Sequence, residues 1–344
     1  MHVLNVGGFR FWVAVVCTLE LVATTAHASG SKTRNTAVGE IAFSVQHGDG
    51  DAPWDIYVVR ADGRWVIKKP TRGLQEDNPV WSPDGRHLAF EGWTIPGGAN
   101  IGIYTMSANG SHRRRLAAGR TPQWSPDGRR IAYEGKGIDV MNADGSGKKH
   151  LASGSGPFWS PDGKQIAFTR SNGVYIVNSG GGGERRLTRT GDNEVGAWAP
   201  GDKIVFAHSA INSPRPRSGI YVINADGSGL RIVEATSDYD TPNIGGWSRD
   251  GKLIVYATGH GISTWQVSDG SIRRLQRRSA DGNPTWSPDG RQIAFARNML
   301  ATTRRDGIWI MNRDGSGQRR IAVASIPHPY QGPNDYFAVT WAPR

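Results

Sequence analysis

Trp81-Ser82-Pro83-Asp84-Gly85-Arg86-His87-Leu88-Ala89-Phe90 joins three kinds of signal in ten residues. A bulky aromatic closes one extended segment. Ser-Pro-Asp-Gly then supplies a tight turn, with proline fixing φ and glycine free to take positive φ. Leu-Ala-Phe opens the next strand with large and small residues on alternate faces. Close copies begin at Trp124, Trp159 and Trp286, and weaker ones at Trp198, Trp247 and Trp341. The tryptophans are spaced 43, 35, 39, 49, 39 and 55 residues apart. A period near 40 residues, rich in strand formers and turn residues, is the sequence signature of propeller blades.

Around this stretch each repeat has the same parts. After the Ile-Ala-Phe-type strand comes a second strand such as Ile220-Tyr221-Val222-Ile223. It ends in a turn such as Asn142-Ala143-Asp144-Gly145-Ser146-Gly147. A basic third strand follows, such as Arg185-Arg186-Leu187-Thr188, and the chain then runs into the next tryptophan strand. The reading is an all-β, single closed β-propeller of seven four-stranded blades, with six blades as the alternative. The first Ile-Ala-Phe strand is Ile41-Ala42-Phe43, whereas Trp341 lies in a strand with no Ile-Ala-Phe partner after it. Closure is therefore expected by pairing the C-terminal strand with the first blade, which leaves no open array. Pro79, Pro122, Pro157, Gly196, Gly245 and Pro284, two residues before their tryptophans, suit an innermost strand crowded near the axis.

The N-terminus reads as a targeting segment. Arg10 precedes the mostly apolar run Phe11–Val22, and Ala26-His27-Ala28 fits a small-x-small cleavage site. The expected organisation is a signal peptide over 1–28, a short linker over 29–38 and the propeller over 39–344. The one cysteine, Cys17, falls inside the signal, so the mature chain would be free of disulfides. No later stretch has membrane-spanning length. A periplasmic or secreted monomer is expected.

The multi-copy Trp-Ser-Pro-Asp-Gly-Lys/Arg-x-Ile-Ala-Phe motif, with Met-Asn-Ala-Asp-Gly-Ser-Gly downstream, resembles the repeats of the TolB-type β-propeller family over residues 39–344. The resemblance implies the propeller fold and an envelope location. TolB itself has six blades and an α/β domain ahead of them. Here seven units are counted, and only Ser29–Val38 separate the signal from the first strand.

Four antiparallel strands per blade place the connections on two faces. The short, uniform Ser-Pro-Asp-Gly and Asn-Ala-Asp-Gly turns share one and read as structural. The variable connections share the other, where a rigid scaffold presents recognition residues. Residues expected to meet a protein or peptide partner there are Trp54, Trp93, Asp77, Asp192, Glu194, Asp238, Tyr239, Asp240, Asp281, Asn334, Asp335 and Tyr336. The acidic members are read as loop residues leading to the channel mouth. The chain carries 41 Lys+Arg against 30 Asp+Glu, a net charge of +11. Its basic residues recur in each third strand, a placement that protects exposed edges better than it builds one polyanion patch.

No Gly-x-Ser-x-Gly elbow and no Cys-x-x-Cys or His-Glu-x-x-His pair occurs. The expected function is a non-enzymatic binding module without a cofactor. The alternative is an envelope lyase or hydrolase acting on carbohydrate or a lactone, with a channel-mouth metal held by some of His47, His208 and His260.

Overall fold

The computed structural model describes residues 39–47, 54–67, 74–94, 100–171, 173–188, 192–199, 201–209, 217–237, 242–278, 281–297, 307–322 and 334–343. They form seven four-stranded antiparallel sheets, the blades of a propeller. The strands that end in the repeat tryptophans are innermost: Asn334–Trp341, Gln75–Trp81, Arg120–Trp124, Ser155–Trp159, Asp192–Ala199, Asn243–Trp247 and Asp281–Trp286, for blades 1 to 7. The basic strands are outermost. Blade 1 is closed as the sequence predicts. Its inner strand Asn334–Trp341 pairs with Glu40–His47, with Ile41 opposite Trp341 and Val45 opposite Tyr336.

Strand alternation decides how blades meet. In Glu40–His47, Ile41 and Phe43 face blade 7, where they join Ala294 and Ile310. Ala42 faces blade 2 and packs with Trp81, Leu88 and Phe90. The large face of one blade thus meets the small face of its neighbour. Seven apolar clusters follow, each spanning two adjacent blades and each holding a repeat tryptophan. Trp124, Trp159 and Trp286 also donate their indole N–H to a backbone carbonyl on the preceding inner strand, at 3.2, 3.0 and 3.3 Å. Near the axis the blades are close enough that a Cβ on Gly245 would collide with the Pro284 carbonyl, and one on Gly196 with Ile244.

The uniform turns are self-contained. Ser82 Oγ donates to Asp84 at 2.6 Å and accepts the His87 amide at 2.9 Å, while the Gly85 amide returns to the Ser82 carbonyl. The same arrangement recurs at Ser125, Ser160, Ser248 and Ser287.

The basic outer strands do more than shield an edge. Arg114 donates to the Asp144 carbonyl at 2.8 Å, Arg185 to Ala225 at 2.6 Å and Arg231 to Val267 at 3.2 Å. Arg319 donates to Ala61 at 2.7 Å. In each case the side chain leaves the outer strand of one blade and holds the turn of the next. The last of these carries the pattern across the seam between blades 7 and 1. Among the described residues no helix is long and apolar enough to cross a membrane.

Candidate functional site

The inner strands begin on the face opposite the Ser-Pro-Asp-Gly turns, here called the open face. Before reaching its tryptophan each breaks register with its neighbour, as between Asp77 and Val80, Arg120 and Gln123, and Gly282 and Thr285. The irregular step has a recurrent left-handed residue three places before the tryptophan: Asn78, Thr121, Gly156, Asn283 and Ala338, with φ of 58°, 50°, 60°, 49° and 45°. Such bulges re-aim the side chains beside them. Acidic residues read from sequence as loop positions therefore lie within strands. Asp77 is in Gln75–Trp81, Asp192 and Glu194 are in Asp192–Ala199, and Asp281 opens Asp281–Trp286. Pairing continues further towards the open face than turn-forming Asp and Asn suggested, because the bulge absorbs the left-handed conformations of Asn78 and Asn283 without ending the ladder.

Blades 1 to 3 meet at a buried carboxyl pair. Asp77 stands directly opposite Glu91 across the blade 2 ladder. Asp77 Oδ1 accepts from Ser44 Oγ of blade 1 at 2.5 Å and from the Asn78 amide at 2.6 Å. Glu91 Oε1 accepts from Asn78 Nδ2 at 3.1 Å and from the Thr121 amide of blade 3 at 2.7 Å. Burial pushes the Asp77 carboxyl up. Burial, with the Asp77 charge added, pushes Glu91 up to about 7. Beside them Glu76 is fully buried and paired with Arg113 at 2.8 Å.

Round the ring, Glu194 is open to solvent on the inner strand of blade 5. Protein nevertheless crowds it, and this desolvation raises its carboxyl. The water that reaches it argues for a smaller rise than at enclosed Glu91. Its neighbour Asn193 accepts from Nδ1 of buried His208 at 2.9 Å, and the His208 ring packs edge-on against Tyr221. On blades 6 and 7, Asn243 Nδ2 donates to Asn283 Oδ1 at 2.7 Å. Asp281 takes both Nε and Nη2 of Arg297 at 2.6–3.0 Å, a contact buried on both sides. Arg297 also stacks over Trp309, 4.1 Å from the ring centre.

Of the residues expected to meet a partner, Glu194 is exposed, and Trp54 and Trp93 are half-buried at strand ends on the open face. Asp77 and Asp281 are buried and bonded internally. Asp192, Asn334, Asp335 and Tyr336 have their backbones in inner strands, but their side chains lie outside the described residues, as does that of His47. Asp238, Tyr239 and Asp240 lie outside them altogether. His260 is exposed in the tight connection between Leu253–Thr258 and Gly261–Gln266, a blade away from His208. Among the described residues no three His, Cys, Asp or Glu side chains come together as a metal would require.

Sequence reasoning missed Ser44, Glu91 and Arg297. A signal for the first two was present. The residue after each Ile-Ala-Phe-type aromatic is Ser44, Glu91, Glu134, Thr169, Ala207, Ala257 and Ala296 in turn. In blades 1 and 2 that column reaches the next blade's inner strand, where Ser44 meets Asp77 and Glu91 meets the Thr121 amide.

The family described as the TolB beta propeller domain matches residues 120–329. The Tol-Pal system protein TolB of Francisella tularensis subsp. mediasiatica (strain FSC147) is 30% identical over 82 residues, which cover 22% of this chain and 19% of that protein. The chain thus matches only about a fifth of this curated relative's length. Among solved structures, TolB from Acinetobacter baumannii aligns with a TM-score of 0.54 at 18% identity, covering 89% of this chain and 67% of that one. An oligogalacturonate lyase in complex with manganese aligns at 0.58 and 15% identity, covering 83% and 86%. A puromycin-hydrolyzing peptidase of Mycobacterium tuberculosis aligns at 0.60 and 11% identity, covering 85% and 53%. Three such different proteins on one architecture show the fold alone. With its repeats matched over more than half of its length, the chain belongs to the TolB β-propeller domain family.

Proposed function

We propose that this chain is an exported, non-enzymatic binding module that holds a protein or peptide partner against the open face of its ring. The observation that carries this reading is the inner-strand collar. Register breaks in successive blades aim short polar side chains at one end of the ring, and Glu194 stands there in contact with water. Trp54 and Trp93 flank the same face with partly uncovered rings, the residue type that dominates binding energy at interfaces. A crowded carboxylate favours a partner that brings a basic or hydroxyl-bearing group, because desolvation strengthens that contact. The TolB relatives, named as proteins of the Tol-Pal system, support a protein partner by analogy. The signal-like first 28 residues support export to the periplasm or beyond, with 29–38 as a linker and the ring working as a monomer.

The test is photo-cross-linking from Trp93 in envelope extract, with Trp54→Ala/Glu194→Ala as the control variant. One protein captured by the wild type and lost with the folded variant is the expected result. Capture unchanged in the variant would remove the open face from consideration. No capture at all would overturn the protein-partner reading.

A further inference from the structure

On the opposite face, among the turns expected to be purely structural, five blades turn through a left-handed residue at one shared position, and one of the five lacks glycine there; blades 1 and 6 place Trp65 and Ile272 at that point, neither at positive φ. Blades 3, 4, 5 and 7 end the turn between their second and third strands with Gly147, Gly183, Gly229 and Gly317, at φ of 60°, 64°, 67° and 63°. Blade 2 has His112 there, at φ 55°. A histidine in the left-handed region is strained where glycine is not.

A second exchange accommodates it. In the other four blades the turn begins with Asn142, Asn178, Asn224 or Asn312, whose amide lies within 2.8 Å of where a Cβ on the glycine would fall. In blade 2 that residue is Ser107. The smaller side chain leaves room, and His112 Nδ1 lies 3.3 Å from Ser107 Oγ and 2.8 Å from Ser111 Oγ. Two coordinated departures from a repeat place an exposed imidazole at one point of the ring.

Both residues line a cleft of 1150 Å³ between blades 2 and 3. His87, also exposed, stands on the same wall, where blades 3, 4 and 7 carry Arg130, Gln165 and Gln292. The rest of the lining is mixed in charge. Arg86 and Arg114 face Asp84, Asp127 and Asp144, and Trp124 forms part of the inner surface. Asp84 and Asp127 each hold a Ser hydroxyl at 2.6 Å, and Asp144 that of Ser146, so these carboxylates are fixed in place. A phosphate would meet three carboxylates, and an ammonium two guanidiniums. A hydroxyl group can donate to the first set and accept from the second at once. The volume suits a ligand of a few rings.

We propose that this cleft is a binding site for a hydroxyl-rich ligand, an oligosaccharide segment, with His112 and His87 among its contacts. The strain at His112 is retained for the ligand, because the fold itself is better served by glycine.

The test is proton NMR of the histidine rings of the full chain during titration with maltotriose, cellotriose and chitotriose. Inorganic phosphate and spermidine serve as the charged comparisons. Saturable shifts of the His87 and His112 resonances with at least one trisaccharide, and not with either ion, are expected. His112→Gly should weaken that binding at least about tenfold while raising Tm by roughly 2 °C. His87→Gln should weaken binding and leave Tm unchanged. Rings unmoved by all three sugars, rings moved only by an ion, or a His112→Gly protein that binds as tightly would each overturn the proposal.

Discussion

At the scale of the residue, Thr121 shows what the ring demands of its inner strands. It occupies the left-handed step that Asn78 and Asn283 occupy in blades 2 and 7, yet it is β-branched. Its amide bonds Glu91, while its own hydroxyl is buried without a partner. Thr121→Asn should keep the amide contact and relieve strain. A gain of about 1 kcal/mol in thermal or urea unfolding is expected, and a loss would show that the threonine shape matters more than its φ. Glu91 gives a pH signature. Its folded carboxyl titrates near 7, against 4.5 as the ordinary value. The folded state holds this proton more tightly, so the contribution is complete below about 4.5 and fades as pH rises through 7. The change is at most about 3 kcal/mol. Glu91→Gln should abolish this slope, so the variant gains on the wild type between pH 5.5 and 8 in denaturant titrations. Parallel curves would mean that Glu91 is ionised throughout.

At the scale of the element, the outer strands and the blade 7 ion pair make opposite claims. Arg319 reaches the Ala61 carbonyl across the seam from a partly exposed position, so its loss is a modest matter. Arg319→Ala should lower stability by about 1.5 kcal/mol, the scale of a hydrogen bond from a charged donor. Arg297 is enclosed with Asp281. Arg297→Met leaves that carboxylate buried without a cation, held by the Gln276 amide at 2.6 Å, and should cost about 3 kcal/mol. Adding Asp281→Leu should recover most of it, and an additive double variant would deny the coupling. Strand order, blade count and turns were legible in the sequence because each repeat states them locally, with a proline and a glycine at fixed offsets. The Ser-Pro-Asp-Gly turn could be read six times over in strong or weak form, and Trp341 marked the seventh unit. The destination of Asp77 could not, since its partners Ser44 and Thr121 belong to other blades and its register depends on a bulge. The basic third strands were legible as edges. Their grip on the next blade's turn was not, because it requires knowing how far one sheet is rotated from another.

At the scale of the whole molecule, cohesion comes from seven similar seams, and no single core dominates. Six of them join blades that are neighbours in the chain. The seventh depends on Asn334–Trp341 reaching Glu40–His47. Ending the chain at Pro333 should leave that strand edge unpaired, and light scattering should then find larger species than the full chain forms. A truncated protein that associates no further than the full chain and melts as sharply would show that the other seams suffice.

The same closure sets an order in time. Ile41 pairs with Trp341, so the first blade to be synthesised is the last to be finished. From the moment Glu40–His47 leaves the ribosome until the final strand follows, it has no inner neighbour, and each intervening blade can assemble while it waits. Birth order and completion order run in opposite senses round the ring, and the interval between them is when this chain most needs protection from its own copies.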